Sequence, residues 1–127
     1  MQRVVVLTCL MIVAVCWATW TLRAASSNHI LGRPAAAAVA TTIGAIRRNP
    51  GAFAGKTVAI TGRMTSRCPS AGCWFYVDDG TGDLRVDAKE GGFSVLGVPL
   101  GTRLTVSGTV VCDSGEDPQL FASGARS

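Results

Sequence analysis

The stretch C-W-F-Y-V-D-D-G-T-G-D-L-R-V-D-A, residues 73–88, leaves the chain little freedom in local structure. Cys73, Phe75 and Val77 alternate with Trp74, Tyr76 and Asp78. After Asp79-Gly80-Thr81-Gly82, the residues Leu84, Val86 and Ala88 alternate with Arg85 and Asp87. A period of two is the mark of a strand with one buried face, and an Asp-Gly turn between two such runs is a hairpin signal.

The same period recurs on either side. Lys56 to Thr65 places Val58, Ile60, Gly62 and Met64 on one face, a first strand in which Gly62 signals a bend or bulge. The hairpin supplies the second strand, Cys73 to Asp78, and the third, Asp83 to Ala88. Residues 91–100 read as a connector, Gly101 to Val110 as a fourth strand and Pro118 to Ser123 as a short fifth. Thr42 to Asn49 reads as a short helix with Ile43 and Ile46 on one side, stopped by Pro50-Gly51. Five strands with one long connector fit a five-stranded Greek-key barrel, the OB-fold, better than a sandwich, which needs about seven. The expectation is an all-β domain over 55–127, with a helix and cap at 42–54.

Ahead of it, Val4 to Leu22 is a run of nineteen uncharged residues between Arg3 and Arg23. Its length suits a membrane anchor better than the roughly 7–15 apolar residues of a removed signal, and it lacks a good small-residue cleavage site. Residues 1–25 are therefore read as a signal anchor or a signal peptide, and 26–41 as an Ala-rich linker. The domain is expected outside the cytoplasm, tethered to the cell membrane through residues 4–22 or released if the segment is cleaved. Arg23, Arg33, Arg47 and Arg48 follow the run and argue for the opposite orientation, so topology stays open.

The motifs V-A-I-T-G-R-M, C-W-F-Y-V-D-D-G-T-G-D-L-R-V-D, G-T-R-L-T-V-S-G-T-V and Q-L-F-A-S-G-A resemble the anticodon-binding type of OB-fold across about Lys56 to Ala125. More narrowly, C-P-S-A-G-C-W-F is similar to a group of small exported OB-fold proteins of undefined function, with Cys-x4-Cys-Trp at the start of strand two. The resemblance implies a fold and a ligand face on strands two and three. It does not by itself imply nucleic acid. From Gly55 onward seven Lys and Arg stand against eight Asp and Glu, a net charge of −1. A groove that grips a phosphate backbone is normally basic, so nucleic acid is a disfavoured partner.

Two places carry candidate chemistry. Cys68 and Cys73 flank the loop Pro69-Ser-Ala-Gly72, and a disulfide between them is the expected state outside the cytoplasm. Metal binding and a redox couple are the alternatives, although structural zinc wants four ligands and few donors remain. Cys112, past the fourth strand, is expected unpaired or linking two chains. The other place is the outward face of strands two and three, where Trp74 and Tyr76 stand with Arg85, and Arg63 lies on the neighbouring strand. Aromatic faces beside guanidinium groups stack on planar ligands, and a small ligand, an oligomer or a protein are the partners considered. The competing reading is that both aromatics pack under a loop or the helix.

Catalysis finds no support. The chain has one His, no nucleophile-base set and no phosphate-cradling loop. Asp78 and Asp79 read as turn formers. No enzyme activity, metal or cofactor is expected. The function expected is an envelope-located binding module; the rivals are a thiol-based redox or metal-handling accessory protein and a nucleic-acid-binding protein.

Overall fold

The computed structural model describes residues 29–127. The apolar run at residues 4–22, with the anchor and signal readings placed on it, lies outside the described residues. Among those described, no helix is long and apolar enough to cross a membrane.

The described residues form seven strands and two short helices in order: β1 (Ile30–Gly32), β2 (Val39–Ala40), α1 (Ile43–Arg48), α2 (Pro50–Phe53), β3 (Thr57–Arg67), β4 (Trp74–Asp78), β5 (Asp83–Asp87), β6 (Arg103–Val111) and β7 (Gln119–Arg126). The strands of the sequence reading correspond to β3 through β7, with ends displaced by a few residues. β3, β4 and β5 form an antiparallel meander. β6 returns to the free side of β3. β7 then closes the barrel, antiparallel to β6 and parallel to β5. The ring β3-β4-β5-β7-β6 has no free edge, which removes the pairing hazard of an open sheet.

Period-two alternation fills this ring. Val58, Ile60, Met64, Phe75, Val77, Leu84, Val86, Leu104, Val106, Val110 and Leu120 are all buried. Phe75 is the largest fully buried side chain. Two glycines let strands approach closely. A Cβ on Gly62 would lie 2.5 Å from the Asp78 carbonyl oxygen, and one on Gly108 would lie 2.2 Å from that of Phe121. The first strand's irregularity, however, is not at Gly62 but further on, where the β3–β4 register shifts between Met64 and Ser66.

α1 belongs to the core. Ile43 and Ile46 are completely buried, and the helix ends before Pro50, which opens α2. Its three leading N–H groups all find acceptors. Asp79 Oδ2 accepts from Ile43 at 2.8 Å, Thr81 Oγ1 from Gly44 at 2.8 Å, and Thr42 Oγ1 from Ala45 at 3.2 Å. The β4–β5 turn thus caps a helix more than thirty residues earlier, satisfying donors that a helix start leaves without partners. Asp78 is the plain turn former, accepting from Gly80 N–H at 2.7 Å.

Partial burial pushes the Asp79 carboxyl up, but hydrogen bonds from the Thr81 hydroxyl and from backbone groups at Ile43, Thr81 and Gly82 outweigh it and hold the pKa below its ordinary value. The stabilisation that follows is complete above the unfolded carboxyl pKa of about 3.9 and is lost as pH falls through the lower folded value. Asp79→Ala is expected to cost about 0.5–2 kcal/mol at neutral pH, and the difference from the parent protein should shrink below pH 4 in urea melts. A constant difference down to pH 2 contradicts the cap.

The segment read as a linker is tied to the barrel. β1 pairs antiparallel with β7, and β2 pairs parallel with β3. Between them, Arg33 N–H donates to Ser123 O at 2.9 Å, and Ala35 N–H donates to the Oγ of buried Ser107 at 2.8 Å. The described chain also starts and finishes in one place, since Ser127 N–H donates to His29 O at 3.1 Å.

Candidate functional site

Each residue pair across a ladder puts its two side chains on the same face, so register fixes what the outer face of the β4–β5 hairpin displays. One row runs Ser66, Tyr76, Arg85, Gln119 across β3, β4, β5 and β7. The next runs Trp74, Asp87, Phe121. Trp74, Tyr76, Arg85 and Phe121 are all half-buried, while their neighbours Phe75, Leu84, Val86, Leu120 and Ala122 face the core. The aromatic face is therefore the reverse side of the best-packed part of the barrel.

Three of the four residues expected at the site come together. The Arg85 guanidinium carbon lies 5.2 Å from the centre of the Trp74 ring, stacked over it. Trp74 and Tyr76 meet edge to face, 6.1 Å between centroids and 86° between planes. Both geometries are favourable for aromatic rings, whose faces are negative and edges positive. Arg85 Nε is buried and has no hydrogen-bond partner.

Beside this cluster, a groove of about 280 Å³ is lined by Arg47, Tyr76, Arg85, Glu116, Pro118 and Gln119, with Asp117 at its rim. Arg47 comes from α1. Its Nη1 donates to Asp83 O at 3.1 Å and its Nη2 lies 3.7 Å from Asp117 Oδ2.

Arg63 does not join them. Paired with Asp78, it sits one step further along the face, and its Nη1 donates to Gly101 O at 3.0 Å. There it lines a separate recess with Thr61, Asp78, Asp79 and Arg103. Sequence reasoning missed Phe121, Gln119 and Arg47. The alternation of Leu120 and Ala122 inward turns Gln119 and Phe121 outward and could have found them; Arg47 reaches the face only because α1 packs beside the turn.

The cysteines differ from expectation. Cys68, Cys73 and Cys112 are all free thiols, and no cysteine pair among the described residues lies at disulfide distance. The register shift between Met64 and Ser66 is the reason. Before it, even-numbered residues of β3 face inward; after it, Arg67 pairs with Phe75 on the inward side, and Cys68 N–H bonds Trp74 O at 3.0 Å. Cys68 thus shares the outward parity of Trp74, whereas Cys73 shares the inward parity of Phe75. A bulge of one residue has put the two thiols on opposite faces.

Cys68 is nonetheless unlike an ordinary thiol. The Ser70 hydroxyl, 3.4 Å from its sulfur, and backbone groups of Ala71, Ser70 and Gly72 stabilise the thiolate, lowering the pKa to about 6. Among the described residues, no group of three or more His, Cys, Asp or Glu is placed to hold a metal ion.

No family model matches the chain, and no curated protein matches it. Among solved structures, the hypothetical protein ygiW from E. coli superposes with a TM-score of 0.52 at 16% identity, over 75% of this chain and 96% of that one. That likeness concerns the fold. Together with the closed ring β3-β4-β5-β7-β6, it fits an OB-type barrel as the architecture of the described residues.

Proposed function

We propose that this protein is an envelope-located binding module, without enzyme activity, that takes a ligand on the outer face of β4 and β5. The observation that carries the reading is the Arg85-Trp74-Tyr76 cluster, a cation over one of two rings left half-open beside a groove. Side chains that only sealed the core would lie flat under a loop or a helix, as the packing alternative requires. Location rests on the nineteen-residue uncharged run at 4–22. Recovery of the chain in the cytoplasmic fraction, identified by intact mass, overturns that part.

The face is tested by titrating the 15N-labelled full-length chain with soluble sugars, amino acids and nucleotides. Amide shifts are expected to centre on Trp74, Tyr76 and Arg85, and to weaken at least about tenfold in a Trp74→Ala, Tyr76→Ala double variant, the scale of losing an aromatic anchor. Binding that centres elsewhere, or that survives in a folded double variant, refutes the reading.

A second reading, thiol chemistry with Cys68 as the working atom, is favoured by its hydrogen-bonded thiolate. The Cys68 alkylation rate with iodoacetamide should reach half its maximum near pH 6, and Ser70→Ala should move that midpoint upward. A midpoint shared with Cys73 and Cys112 removes this reading.

A further inference from the structure

Arg85 is an unfinished interaction. Its guanidinium lies over the Trp74 ring, its Nε is withdrawn from solvent without an acceptor, and no carboxylate among the described residues pairs with it. Its two terminal Nη groups, which have no protein acceptor among the described residues, form a fork that matches two oxygens of one group.

The groove around that fork defines the rest of the ligand. Half-buried Tyr76 offers a flat apolar face, and Gln119 offers an amide. Arg47 supplies a second guanidinium whose bond to exposed Asp117 is long and easily exchanged. Glu116 and Asp117 also line the groove and disfavour ligands with several negative charges. Resting on the binding-face reading above, we infer that the groove takes a flat ring carrying a single small oxyanion group, a carboxylate or a phosphate, with the oxyanion on the terminal Nη pair of Arg85.

The test titrates the 15N-labelled full-length chain with benzoate, phenyl phosphate and benzyl alcohol, following the Arg85 Nε–Hε and Trp74 indole resonances. At least one anionic probe should move the Arg85 Nε–Hε signal saturably and bind more tightly than benzyl alcohol; the tighter anion identifies the source of the oxyanion. Arg85→Lys, which keeps the charge but loses the fork, should weaken that probe about tenfold, the scale of a charge-assisted hydrogen bond. The parent-protein titration needs no variant to fold. Equal binding of benzyl alcohol at Trp74 and Tyr76 overturns the oxyanion and leaves the face. No shift at Trp74, Tyr76 or Arg85 with any probe overturns both.

Discussion

Phe75→Ala is expected to remove about 3–5 kcal/mol of stability, because the largest fully buried side chain would be replaced by a cavity that a closed barrel cannot collapse around. Phe75 belongs to β4, which is hydrogen-bonded on both sides, to β3 and to β5. Neither neighbour can move inward without straining its own other partner. Small domains have about 5–15 kcal/mol in total, so the loss is a large share of it. Chemical denaturation should show the midpoint falling with little change in slope. A loss below 1 kcal/mol would mean that the barrel relaxes and is not closed as described. Because Phe75 lies between Trp74 and Tyr76 in sequence, the same substitution should also loosen the outer face.

Ile46→Ala is expected to cost about 2–5 kcal/mol, although it lies before the barrel's first strand. Both isoleucines of α1 are completely buried, and Ile46 contributes to the same core as Leu84 and Val86. The helix is part of the folding unit and not an appendage. Unfolding followed by Trp fluorescence and by far-ultraviolet dichroism should shift together in this variant, as one cooperative transition requires. If dichroism reported an early separate loss while the barrel melted unchanged, α1 would be an independent cap.

What the sequence made legible was whatever local alternation encodes. Val58, Ile60, Phe75, Val77, Leu84 and Val86 follow a period of two without interruption, and all of them are buried as that period requires. The position of Trp74, Tyr76 and Arg85 on one face follows from the same rule. Three features were not readable because their causes are not local. β1 and β2 are too short, and too rich in Gly and Ala, to show a period; they exist because β7 and β3 offer them partners. The Asp79 cap joins residues 36 apart in sequence, where nothing in a D-D-G-T-G turn indicates a helix waiting above it. Alternation continued through Thr65 puts Cys68 and Cys73 on one face, the arrangement a bridge needs. The register shift reverses that parity, and no Gly or Pro marks it: it falls between Met64 and Ser66, while the glycine that invites a bulge stands at Gly62.

The hydrogen bond between Ser127 and His29 has a consequence for how the barrel sits within a polypeptide. A domain whose path opens and closes at a single point behaves like a bead on a loop of thread. It can be carried within another chain's surface turn without stretching either host or guest, as domains with adjacent ends are. Within the described residues, a probe attached at His29 becomes a neighbour of one attached at Ser127.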